Sequence, residues 1–144
     1  MNILKILTDK RKTGNKGEDE TAKHLKKHGY KIVARNYVAG NHEIDIIAEN
    51  KEYICFVEVK TRTVGKNGDT EVRPAAAVSA EKQSSVISAA RFYLGGFFDP
   101  RMARFDVCEV YLEKDGSLSK INYIENAFNF NTAASGFQRQ KRRK

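Results

Sequence analysis

The stretch from Glu43 to Lys60 constrains this chain most, because it sets charged side chains inside segments that otherwise read as buried sheet. Glu43-Ile-Asp45-Ile-Ile-Ala48 and Tyr53-Ile-Cys-Phe-Val-Glu58-Val-Lys60 are rich in the β-branched and aromatic residues that suit a pleated surface. The polar run Glu49-Asn-Lys-Glu52 between them predicts a hairpin turn. Asp45, Glu58 and Lys60 fall within the strands. An isolated ionised group in a sheet interior costs several kcal/mol or shifts its pKa until the charge is lost, so these three need compensation.

Strand alternation puts Glu58 and Lys60 on one face. With the turn centred between Lys51 and Glu52, Asp45 stands opposite Glu58 and Glu43 opposite Lys60. Opposed Cβ atoms are roughly 4.5–5.5 Å apart, and two carboxylates that close repel unless they share a proton or a cation. Mg²⁺ or Mn²⁺ meets that need. Mg²⁺ takes one or two carboxylates and leaves its other positions to water and phosphate oxygens. The competing arrangement is an Asp45–Lys60 or Glu43–Lys60 ion pair at a wet sheet end. A slip of one residue would separate Asp45 from Glu58 altogether.

A chain of 144 residues fits one domain. Its net charge of +8 lies at the ends. Residues 1–12 form a basic leader (Lys5, Lys10, Arg11 and Lys12 against Asp9), and 137–144 carry five basic residues and no acidic one. The span 13–136 is balanced. The expected organisation is therefore a leader at 1–12, one domain at 13–128 and a disordered basic tail at 129–144. Such ends either attract nucleic-acid phosphate in a salt-dependent way or serve solubility. Cys55 and Cys108 sit in apolar runs without a Cys-x-x-Cys pair, as reduced core cysteines do. The opening residues are too short and polar for a signal peptide and no stretch is long enough to span a membrane, so a cytoplasmic location is expected.

Along the chain, Thr13 to His28 has helical periodicity and Gly29 is placed to end it. Glu18 shares a face with Ala22 and Leu25, which predicts either an inward functional carboxylate or a capping box with Asn15. His24 and His28 lack a third ligand and fit a solvated helix face. A strand is expected over Tyr30–Tyr37, with a turn at Gly40-Asn41 and His42 beside the carboxylates. Thr61 to Arg73 reads as a loop placed to close over a substrate. Ser79 is a predicted N-cap for a helix to Leu94, with Gln83 on its apolar face. Strands at Phe105–Leu112 and Leu118–Ile124 follow, joined at Asp115-Gly116, with Asp106 paired structurally to Arg104. The order α-β-β-β-α-β-β defines an α/β protein, a mixed sheet flanked by helices.

Asp45 followed by Glu58-Val-Lys60, after a helix bearing Glu18, resembles the core of the PD-(D/E)xK nuclease superfamily, especially its Holliday-junction-resolvase-like branch. More narrowly, the chain resembles the YraN family over roughly residues 13–128. The matching pieces are Gly14-x-x-Gly17-Glu18, Arg35-Asn36, Glu43-Ile-Asp45-Ile-Ile-Ala48, Phe56-Val-Glu58-Val-Lys60-x-Arg62, Lys82-Gln83, Ala90-x-x-Tyr93-Leu94 and Arg104-Phe-Asp106-Val107. His42 departs from a family glycine without removing a ligand.

The resemblance implies a restriction-endonuclease-like fold and a metal-dependent endonuclease acting on DNA, with branched or junction DNA among its substrates; junction cutting in turn calls for two symmetric active sites, as a homodimer would supply. It carries metal binding to Asp45 and Glu58 and the catalytic lysine to Lys60; the carbonyl of Val59, between Glu58 and Lys60, is a further candidate ligand. Glu18 matches the helix carboxylate of the resolvase-like branch. Gln83, Lys82, Arg62 and Glu43 are assigned to substrate contact. The alternative is a catalytically silent nucleic-acid-binding module that works through its basic ends.

Overall fold

Asn50 fixes the register of the central hairpin. Its side-chain oxygen accepts from the backbone N–H of Glu52 at 2.8 Å and of Tyr53 at 2.7 Å, closing the turn that the polar run predicts. The strands on either side, β2 (His42–Glu49) and β3 (Tyr53–Thr63), then pair antiparallel from Glu49↔Ile54 to Ile46↔Val57. One step further along this register Asp45 faces Glu58.

The computed structural model describes residues 3–64, 78–95, 99 and 101–130, with side chains from residue 14 onward. Besides the hairpin it contains α1 (Ile3–Lys27), β1 (Lys31–Ala39), α2 (Ala80–Leu94), β4 (Met102–Leu112) and β5 (Leu118–Phe128). The five strands form one sheet in chain order. Only β3 and β4 are parallel, and they are the pair whose connection includes α2. This is the predicted α/β class and element order.

Two apolar clusters divide the faces. Val86, Ile87 and Ala90 of α2 pack with Phe56, Phe105 and Phe128, and the three aromatic rings stack in series at 5.5 and 5.1 Å. Ala22 and Leu25 of α1 cover Cys55, Val57, Cys108 and Val110 on the other face. Both cysteines are free and fully buried. The second helix starts where expected, with Ser79 Oγ accepting from the Lys82 N–H at 3.1 Å, and Gly95 ends it at φ 60°.

Several expectations need correction. The first helix begins ten residues before Thr13, so Asn15 lies mid-helix and caps nothing, and Glu18 is no part of a capping box. β3 runs through Thr63, held by parallel pairing with β4 as far as Leu112, so Thr61–Thr63 are strand rather than loop. The rest of the expected covering loop, 65–73, and residues 131–144 of the tail lie outside the described residues. β5 continues past Ile124 to Phe128. His24 is half-buried and its ring stacks on Tyr123 of β5 at 5.1 Å, so it helps seat α1 instead of facing only water. His42 Nδ1 lies 2.9 Å from Ser85 Oγ, tying the hairpin entry to α2.

Asp106 has the structural role expected of it. Arg104 donates to both of its oxygens, Tyr123 donates its hydroxyl at 2.6 Å, and the Asn126 N–H adds a third partner at 2.9 Å. Arg104 is also sandwiched near Tyr30 and Tyr53, 5.4 and 4.6 Å from their ring centres. A buried carboxylate held by this many donors is a structural brace between β4, β5 and the Arg104 side chain.

Candidate active site

Past Ile46↔Val57 the β2–β3 ladder stops, and the Asp45 carboxylate enters the gap. Its Oδ2 accepts the Val59 backbone N–H at 2.8 Å, replacing the backbone acceptor that a continued ladder would offer. Alternation along β2 breaks at this point. Ile44 belongs to the core on the α2 side and Ile46 to the core on the α1 side. A residue between them can therefore lie between the strands instead of on one face. Of Val59, this N–H is the group the geometry ties to Asp45.

Glu58 is buried, with 5% of its side chain exposed. Its Oε1 lies 3.7 Å from Lys60 Nζ and 3.7 Å from Lys82 Nζ. Its Oε2 is sealed from solvent and has no hydrogen-bond partner. Burial, followed by the charge of Asp45, pushes the Glu58 carboxyl up to about 7, against the opposing pull of Lys82 and Lys60. Two acids crowd one another here, and one buried acceptor atom is left without a donor.

Glu18 approaches from α1. Burial is the main cause that raises its carboxyl above the ordinary range, and the charge of Asp45 adds to it. Arg35 of β1 bridges Glu18 at 3.4 Å and Asp19 at 2.8 Å. Asn36, with its amide nitrogen turned toward the acids, donates to Glu18 Oε1 at 2.9 Å and Glu43 Oε1 at 3.2 Å. Its φ of 52° is unusual within a strand and is one that asparagine tolerates better than most residues. Asn36 sits between the pairs Arg35↔Ile46 and Tyr37↔Ile44, the register position across from Asp45. Sequence patterning missed both residues, although the Arg35-Asn36 dipeptide, two polar groups interrupting an otherwise alternating strand, is the signal that marks them.

Helix α1 reaches β3 through Gly17. A Cβ there would overlap Thr61 Oγ1, so glycine permits this approach, one residue before Glu18 and beside the strand position after Lys60.

The remaining predicted contacts divide. Lys82 joins the site through Glu58. Gln83 is partly buried and gives its amide nitrogen to the Val78 carbonyl at 3.0 Å, a local bond at the start of α2. Arg62 lies 3.8 Å from Glu109 Oε2, a buried acid on β4 that also accepts from Tyr111 and Asn122. Glu43 accepts from Asn36, while Lys60 faces Glu58 instead of Glu43. A cleft of about 670 Å³ lies elsewhere, at the hairpin-turn end of the sheet beside Asn50 and Arg101. Arg101 there is already committed to Asp99 and Glu49. Size alone does not locate the chemistry.

Among the described residues no group of three or more His, Cys, Asp and Glu side chains gathers to hold a metal. That donor set does not suit a structural zinc site, which takes four protein ligands. Two opposed carboxylates, one with a buried unpartnered oxygen, do fit Mg²⁺ or Mn²⁺, which bind through few protein oxygens.

Fold and site together define an α/β protein with a paired-carboxylate, lysine-flanked centre where two central strands part. The chain belongs to the family described as Uncharacterised protein family UPF0102, whose profile matches residues 17–110. It is 38% identical over 122 residues to a UPF0102 protein of Porphyromonas gingivalis, covering 85% of this chain and 87% of that one. It is 41% identical to a UPF0102 protein of Caldanaerobacter subterraneus, over 83% of this chain and 97% of the relative. A third, from Chlorobaculum tepidum, is 42% identical over 80% and 90% of the two chains. This is the YraN family that the sequence motifs resemble. No helix among the described residues is long and apolar enough to cross a membrane.

Proposed function

We propose that this protein is a Mg²⁺- or Mn²⁺-dependent endonuclease of the PD-(D/E)xK type that hydrolyses phosphodiester bonds in DNA, branched or junction DNA included. The observation that carries this reading is Glu58: a buried carboxylate opposite Asp45, with one oxygen facing two ammonium groups and the other lacking any donor. Asp45 and Glu58 would hold the metal, which when bound supplies Lewis acidity at a phosphoryl oxygen and lowers the pKa of water. Lys60 acts by position, holding water or stabilising charge that builds on the phosphate. Glu18, held by Asn36 and Arg35, keeps a second carboxylate near Asp45 to orient the attacking water or take a second cation.

A cleavage assay with Mg²⁺ on linear, flap and four-way-junction DNA tests this reading. Wild type is expected to cut, and Asp45→Ala to bind without cutting. Binding with a steep salt dependence and no cleavage by wild type would instead favour the silent binding module, whose support is the concentration of basic charge at the chain ends.

A further inference from the structure

Lys60 and Lys82 reach the same atom from different parts of the fold. Each Nζ stands 3.7 Å from Glu58 Oε1, Lys60 from β3 and Lys82 from the first turn of α2, whose start Ser79 pins. Both side chains are about one-third exposed, while that of Glu58 is buried. At that separation neither is within hydrogen-bonding distance, so each ammonium offsets the charge of Oε1 and still keeps its three donors. Among the described residues neither has another ion-pair or hydrogen-bond partner.

Asp45 and Glu58 together present two acids, and Lys60 and Lys82 are the two ammonium groups set against them. A divalent cation held by the two carboxylates would take over that balance and leave both ammonium groups for another anion. Their combined charge matches a phosphodiester that gains negative charge as it is attacked.

We infer that Lys82 is a second phosphate-binding lysine of this site, which shares with Lys60 the anionic oxygens of one phosphodiester so that the two form a clamp above Glu58. The clamp rests on the phosphodiester reading above. It makes the scissile phosphate's orientation depend on β3 and α2 together, and Lys60 ceases to be the sole cation from the protein. Lys82 keeps partial cleavage alive when Lys60 is lost.

The test uses full-length protein and a labelled DNA duplex, with binding measured across a salt series. Ca²⁺ occupies the carboxylate pair without supporting turnover. Lys60→Met and Lys82→Met should each reduce the slope of log affinity against log salt by about 0.9, the value for one duplex phosphate contact. The double variant should lose about twice that, and Lys82→Arg should keep the wild-type slope. Melting temperatures identify variants that fail to fold, and Lys82→Gln provides a second neutral replacement. In parallel Mg²⁺ assays, residual cleavage by Lys60→Met should disappear in the double variant. An unchanged slope in both neutral Lys82 variants, or no binding of DNA by wild type, overturns the clamp. Slopes that fall as expected in a protein that never cuts uphold the clamp and remove the hydrolysis. Cleavage with a Lys82-independent slope does the reverse.

Discussion

At the scale of single residues, Glu58 couples the site to the stability of the fold. Its carboxyl titrates near 7 rather than 4.5 because burial and Asp45 both disfavour the charged form. A carboxyl raised in the folded state contributes stability that is complete below about pH 4.5 and is lost as pH rises through about 7. The metal-free protein should therefore melt at progressively lower temperature across that window. Glu58→Gln should flatten this part of the profile and stabilise the protein at its upper end. Mn²⁺ should restore wild-type stability most at the same upper end, because ligation needs the ionised carboxylate. A Glu58→Gln profile parallel to wild type would remove this account of Glu58. Asp45, Glu58 and Lys60 were legible in the sequence because charge inside an apolar strand demands an explanation. Asn36 shows in the sequence only as a polar break in the alternation of β1, since its role comes from a left-handed backbone conformation that alternation does not encode. The Arg62–Glu109 pair was not legible, since it joins neighbouring strands far apart in sequence.

At the scale of elements, two junctions position the site. The first is the contact of α1 with β3 at Gly17. Gly17→Ala should destabilise by about 1–3 kcal/mol through overpacking against Thr61. Thr61→Ala should recover much of that loss, and a double-mutant cycle measures the coupling. Additive effects would mean that the helix does not press on the strand there. The second junction is the start of α2. Ser79→Ala should cost about 1 kcal/mol by removing the acceptor for the Lys82 N–H, as read by denaturant unfolding. It should also loosen Lys82 above Glu58. The hairpin register and the bounds of α2 could be read from sequence because Asn50 and Ser79 act locally. The start of α1 could not. Asn15 and Glu18 satisfy a local capping pattern, but the helix continues through them and presses Ala22 and Leu25 onto the sheet.

At the scale of the whole molecule, the charge distribution separates chemistry from attraction. The balanced span 13–136 contains the carboxylate centre, while the two ends carry the excess positive charge. Deleting residues 137–144 should weaken DNA binding and lower its salt dependence while leaving Mn²⁺ affinity unchanged. Unchanged DNA affinity would assign the tail to solubility. Cutting a junction symmetrically calls for two sites related by two-fold symmetry, so sedimentation with junction DNA should report two chains per junction. Everything in the proposed chemistry depends on a cation held between Asp45 and Glu58. Titration of Mn²⁺ into the wild-type protein and into Asp45→Ala, followed by calorimetry or electron paramagnetic resonance, tests that most directly. The account predicts saturable binding by wild type that Asp45→Ala loses. Equal binding by the two proteins, or none by wild type, would contradict it.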